Sequence, residues 1–333
     1  MRQAIADVFS GAHVLITGGV GFIGSHIGRR LAAAGAAVTL VDSLIPECGG
    51  NLANIKDFEQ GVRFNIADVR DSRSMEPFIE RADFLFNLAG QTSHLDSMRD
   101  PFPDLEINAR AQLSILEACR KHNHQVRIVF ASTRQIYGRP RYLPVDENHP
   151  IVPIDVNGVN KAAGENYHLV YHTAHGLRTS VLRLTNTYGP AMRVKDARQT
   201  FVGIWVKNIL TGVPITIFGD GAQVRDLAYV DDVVDAFLQS ALTEQAIGTA
   251  LNIGGSERIS LRDLAELLVR CNGSGSVETV PFPDELKAID IGDYYSDDSA
   301  ARTLLEWAPR VTLEDGLRRT LDYYRAHGEE YFR

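Results

Sequence analysis

The chain has 333 residues, 44% hydrophobic and 23% charged, with a formal net charge of −8. That length holds one sizeable α/β core with a smaller companion and excludes three ordinary domains, while the acidic balance argues against a nucleic-acid or anionic-membrane surface. Cys48, Cys119 and Cys271 are far apart, with no Cys-x-x-Cys pair and no clustered histidines, so reduced thiols are expected rather than a disulfide or a metal site.

Residues Met1 to Ser10 carry neither the basic start nor the apolar core of a secretion signal. No later run approaches the ~20 apolar residues of a membrane span, so a cytoplasmic protein without a membrane segment is expected. The apolar run from His13 to Thr17 then enters three glycines, Gly18, Gly21 and Gly24, and a helical pattern over Ser25–Ala34. The following strand, Ala37–Val41, ends in Asp42, the acid that a dinucleotide site places about 20 residues on. In that reading Gly18 permits the turn, Gly21 lets the backbone approach a pyrophosphate, and Gly24 lets the helix pack closely. The helix N-terminus supplies free N–H groups and the positive end of its dipole.

Strand-like runs recur at Val62–Ile66, Phe84–Leu88, Val126–Ala131, Thr179–Leu184 and Ala250–Ile253. Helical patterns lie between most of them at Ser72–Glu80, Leu105–His122 and Gly158–His175. This alternation predicts an α/β fold, a Rossmann-type doubly wound parallel sheet with ligands at the carboxyl ends of its strands. After Leu184 prolines and glycine turns interrupt the rhythm. Short helices are predicted at Gln199–Leu210, Leu261–Val269 and Leu313–Tyr324, and late sheet elements at Val230–Leu242 and Ala250–Ile253. The expected division is a cofactor domain of residues 1–185 with 226–254 and a substrate domain of 186–225 with 255–333. The broad apolar faces of the Leu105 and Gly158 helices suit either deep burial or a homodimer interface.

The strand ends carry Asp68-Val69-Arg70-Asp71, Leu88-Ala89-Gly90-Gln91 and Ser132-Thr133, and the later chain carries Asn186-Thr187-Tyr188-Gly189-Pro190 and Gly219-Asp220-Gly221 through Val224-Arg225-Asp226. With the glycine loop, this set resembles the extended short-chain dehydrogenase/reductase superfamily, and within it the NAD-dependent nucleotide-sugar epimerases and dehydratases. Ala89–Gln91, Glu106–Asn108 and Gln223–Asp226 lean towards UDP-glucose 4-epimerase and CDP-tyvelose 2-epimerase relatives.

The resemblance implies NAD held by Gly18, Gly21, Phe22, Ile23, Asp42, Ser43, Asp68, Val69, Leu88, Ala89, Gly90, Gln91, Asn108, Ala131 and Lys161. Asp42 would bind the adenosine ribose and Asp68 would accept from the adenine amine. Lys161 would bond the nicotinamide ribose and supply positive charge. Thr133 would contact the reacting sugar oxygen. A nucleotide-diphosphate sugar would meet Thr92, Ser93, Asn186, Gln199, Thr200, Phe201 and Arg225, although an ion pair of Arg225 with Asp226 or Asp231 is an alternative.

Two departures stand out. The family places a tyrosine four residues before the lysine matching Lys161, as the base that takes the sugar hydroxyl proton; here that position is Asn157, and a carboxamide cannot serve. Either another group moves the proton, with His94, Asp96, Tyr137 and Tyr188 as candidates, or the position is altered to hold substrate, or hydride chemistry has been lost. Asn157 itself retains the capacity to orient a sugar hydroxyl. Relatives also carry an arginine just before the pair matching Gly292-Asp293, where this chain has Asp290, with Lys287 and Arg193 as possible compensation. The expected activity is a nucleotide-sugar epimerase, acting at C4. A C2 epimerase, a decarboxylase, a dehydratase or a silent NAD-binding protein are the alternatives, and Arg134-Gln135 after Thr133 speaks against a 4,6-dehydratase.

Overall fold

Strands buried on both faces read as continuous apolar runs. In the computed structural model, which describes residues 2–332, those runs pair into one parallel sheet of seven strands. β1 (His13–Thr17) lies between β2 (Ala37–Asp42) and β4 (Phe84–Asn87). β3 (Arg63–Ile66) extends one side, and β5 (Arg127–Thr133), β6 (Arg178–Leu184) and β10 (Ala250–Ile253) extend the other. The order β3-β2-β1-β4-β5-β6-β10 reverses between β1 and β4, the switch point at which doubly wound sheets open a crevice.

Two apolar clusters cover the sheet. One joins α2 (Phe22–Ala33) to α9 (Val230–Leu242); the other joins α3 (Ser72–Glu80), α6 (Ala111–His122) and α7 (Val156–His175). α1 (Arg2–Phe9), which sequence patterning missed, buries Phe9 against Phe84 at 4.6 Å between ring centroids. α7 starts where the Asp155 carboxylate accepts from Gly158 N at 2.6 Å and ends at Gly176 in the left-handed region.

Residues 230–242 are a helix, not the sheet element expected. Val230, Val233, Val234, Phe237, Leu238 and Ala241 are buried on a helical period, and that stripe overrides the strand preference of three valines. The Leu105–His122 helix also differs. It follows α4 (His94–Arg99) as α5 (Pro101–Leu105), passes through a π-turn at Glu106–Arg110, and continues as α6.

Beyond β6 the chain leaves the main sheet to build β7 (Asn186–Tyr188), β8 (Ile215–Phe218) and β9 (Val224–Tyr229). It returns as α9 and β10, then leaves again through β11 (Arg258–Ser260), α10 (Leu261–Asn272) and β12 (Val277–Val280). β11, β9 and β7 form a three-stranded sheet, β8 pairs with β12, and α8 (Phe201–Leu210), α10 and α11 (Leu313–His327) pack together beside them.

Candidate active site

A single long cleft runs over the switch point, lined from Gly18 on the β1–α2 turn to Gln199 and Thr200 before α8. Gly18 takes φ +66, and a side chain there would meet the Ala89 backbone at 3.1 Å. A Cβ on Gly24 would sit 2.2 Å from the Gly18 carbonyl, so the turn and α2 close up only without one. α2 begins after Gly21 with no side-chain cap, and Gly21, Phe22 and Ile23 at this end of the helix line the cleft. At the end of β2, Asp42 accepts from Val20 N and Leu44 N beside Ser43. Burial nevertheless raises its pKa above the ordinary carboxylate value.

The floor of the cleft is fixed by a buried polar chain that sequence patterning did not reveal. Thr17 Oγ1 donates to Asn87 Oδ1 at 2.8 Å and accepts from Leu88 N and Ala89 N at 3.1 Å each. Asn87 Nδ2 donates to Gln112 Oε1 at 2.6 Å. Strand ends are thereby tied to the loop that presents Leu88, Ala89, Gly90 and Gln91. A Cβ on Gly90 would lie 2.9 Å from both Asn108 Oδ1 and Lys161 Nζ, so a glycine lets the loop approach the lysine. Asn108 stands behind this wall and donates to Gln91 O. The resulting cradle, with a free helix N-terminus, an acid at the end of β2 and glycines where the backbone must come close, fits an adenine dinucleotide. Asp68 and Val69 line its outer end, where Asp68 is held below its usual pKa by the side-chain bonds of Arg70.

Ala131 and Thr133, at the end of β5, line the middle of the cleft. The neighbouring Ser132 hydroxyl donates to buried Glu165, which is itself paired with Arg183 at 2.6 Å. Lys161, on α7, donates to Ala131 O at 3.1 Å above the Phe130 ring, and burial lowers its pKa to about 8.

Asn157 sits in a buried polar network of its own. Asn157 Nδ2 donates to Gln91 O and to Asp104 Oδ2, each at 2.8 Å, and Asn160 Nδ2 donates to Asp104 Oδ1 at 2.8 Å. Two carboxamides one helical turn apart therefore clamp a fully buried carboxylate that α5 supplies. A tyrosine at 157 would leave Asp104 short of a donor.

Of the four groups that sequence reading offered for proton transfer, only His94 lines the cleft among the described residues. Its Nδ1 lies 3.0 Å from Asp155 Oδ2, an ion-pair contact rather than an aligned hydrogen bond. Burial pushes the Asp155 pKa up, but the facing imidazole, Gly158 N and Gln135 outweigh it, and the net shift is downward. Asp96 instead accepts from Arg198 Nε at 2.7 Å. Tyr137 is buried, donates to Asn252 Oδ1 and has its pKa pushed up to about 12 by burial; Tyr188 is buried and donates to Leu313 O.

Thr92, Asn186, Gln199 and Thr200 line the cleft's far side, and Thr200 also caps α8. Three expected substrate contacts stand outside its lining. Ser93 caps α4, Phe201 packs on Trp205 at 4.9 Å, and Arg225 donates to the carbonyls of Val224 and Gly292 and lies 3.7 Å from Asp290. Arg225 thus pairs with Asp290, not with Asp226 or Asp231. Arg193 is bound by Asp196 at 2.5 Å and Lys287 is exposed, so neither stands in the cleft.

The geometry agrees with what similar proteins show. The chain is 33% identical over 314 residues, 94% of its length and 98% of the relative's, to a putative UDP-glucose 4-epimerase of Methanocaldococcus jannaschii. It superposes with a TM-score of 0.85 and 32% identity on the UDP-glucose 4-epimerase of Thermotoga maritima solved with UDP-glucose, covering 94% of this chain and 99% of that one. The UDP-glucuronic acid 4-epimerase of Bacillus cereus, solved with UDP-glucuronic acid and NAD, gives 0.83 and 29% with coverages of 94% and 99%. Residues 14–254 match the NAD dependent epimerase/dehydratase family, and to that family of NAD-dependent enzymes this chain belongs.

Proposed function

We propose that the protein is a nucleotide-sugar epimerase that oxidises and re-reduces one sugar carbinol, at C4, with His94 moving the hydroxyl proton in place of a tyrosine. The observation that carries this reading is the joint lining of one cleft by Thr133, Lys161 and His94, with Asp155 behind the imidazole. NAD, when bound, supplies hydride acceptance and return. Thr133 would hold the reacting oxygen and the Lys161 ammonium would set the local charge. An imidazole whose Nδ1–H faces a carboxylate keeps Nε2 basic, so it can take the hydroxyl proton and give it back. Residues 1–185 with 226–254 would hold the dinucleotide, and 186–225 with 255–333 the sugar nucleotide.

The test uses purified protein. Denaturation should release NAD, and addition of UDP-, CDP-, GDP- and dTDP-sugars should produce transient absorbance of reduced nicotinamide and an epimerised product. Neither signal with any sugar would leave a silent binding protein as the better account.

Met98, Phe102, Leu105 and Val159 are exposed on α4, α5 and α7, three helices that pack against one another. This apolar face fits a second copy of the chain. Sedimentation should report the dimer of a 36.7 kDa chain, and a monomer at micromolar concentration would remove the proposal.

A further inference from the structure

The cleft contains a hydrogen-bonded pair, a guanidinium and a carboxamide, that proton transfer leaves unused. Arg134 follows Thr133 directly, and its guanidinium lies over the Tyr294 ring at 5.1 Å. Its Nη2 donates to Asn186 Oδ1 at 3.0 Å. Arg134 Nη1 and Asn186 Nδ2 are buried and have no hydrogen-bond partner among the described residues, and both residues line the cleft. The two unpartnered donors belong to one hydrogen-bonded pair of the cleft lining.

The acids around Arg134 are engaged elsewhere. Asp226 accepts from Thr185 Oγ1 and Ser296 N. Asp290 accepts from Gln223 Nε2 and faces Arg225 at 3.7 Å. Asp155 faces His94 and accepts from Gln135 and Gly158. Arg225, the other buried guanidinium nearby, spends a donor nitrogen on backbone carbonyls. A guanidinium withdrawn from water with a donor left over is costly unless an anion arrives, and its planar fork matches a carboxylate or phosphate.

We propose that Arg134 and Asn186 form a receptor for an oxyanion of the substrate, namely a carboxylate on the sugar, which makes acidic sugars the preferred substrates. This rests on the nucleotide-sugar reading above. The position of Arg134 beside Thr133, the residue assigned to the reacting sugar oxygen, favours the sugar over the diphosphate as the source of the charge.

The experiment is calorimetric titration of the NAD-loaded protein with matched pairs: UDP-glucuronate and UDP-glucose, UDP-galacturonate and UDP-galactose, GDP-mannuronate and GDP-mannose, together with UDP and GDP. Within any pair that binds, the uronate should bind at least tenfold more tightly. Arg134→Gln should bring that ratio close to one while leaving the affinity for the nucleoside diphosphate within about twofold. Asn186→Asp, which neutralises the guanidinium in place, should likewise bring the uronate-to-neutral ratio close to one, and retained NAD reports folding of both variants. A neutral sugar that binds as well as its uronate in the unmodified protein would overturn the proposal. So would equal weakening of uronate, neutral sugar and nucleoside diphosphate by Arg134→Gln, which would assign the receptor to the diphosphate. Binding of NAD with no binding of any nucleotide or sugar nucleotide would instead overturn the nucleotide-sugar reading itself.

Discussion

Replacing His94 by Gln should lower kcat by about two to four orders of magnitude, the usual contribution of a positioned general base, with KM changing far less. Glutamine keeps a similar length and a polar end but cannot take up a proton. Asp155→Asn should give a smaller loss of at least about tenfold, because the imidazole then loses the carboxylate that orients it and stabilises its protonated form. In single turnovers, both variants should slow the appearance of reduced nicotinamide while NAD stays bound. The slowing should be the larger of the two in His94→Gln. An unchanged kcat there would move proton transfer to another group, and the Asn157 network gives the reason why that group is not at 157: its carboxamide is committed to Asp104 and Gln91 O.

Lys161→Met should stabilise the cofactor-free protein at pH 7 by up to about 3 kcal/mol while removing turnover. The lysine is buried, and its pKa falls from 10.5 to about 8, a shift whose full conversion at 1.36 kcal/mol per unit sets that ceiling. The sign follows from proton counting. Below pH 8 both folded and unfolded chains carry the charged amine, and the folded state bears the whole cost of burying it. Between pH 8 and 10.5 the unfolded chain binds more protons, so the stability of the unmodified protein rises with pH; above 10.5 the cost is gone. The advantage of methionine should therefore be largest at neutral pH and fade by about pH 10.5, as urea titrations at pH 7 and pH 10 would show. A lower stability of Lys161→Met at pH 7 would mean that the bond to Ala131 O and the contact with Phe130 outweigh the desolvation. The gain would mark a residue kept for function at the expense of the fold.

The main sheet was legible because most of its parallel strands carry a short stretch rich in apolar residues between turn residues, and the glycine loop because turn, helix start and acid follow in one local stretch. Legibility failed where contacts are long-range. His94 and Asp155 are brought together only by the packing of α4 on α7, and Asp104 meets Asn157 and Asn160 through an α5 that sequence periodicity did not separate from α6. β7 and β11, three residues each, are too short to show a period, and in α9 the β-branched residues obscured a helical stripe. Asn157 could be singled out from the sequence, whereas the buried carboxylate that it binds could not.

Because the polypeptide visits the large sheet, departs, comes back as α9 and β10, and departs once more, no single splice separates that sheet from the smaller sheets built beside it. Exchange of sugar preference between such proteins by swapping one contiguous cassette would sever strands on both sides. A change of ligand preference in this architecture is accordingly easier to reach by single substitutions at strand ends than by wholesale recombination.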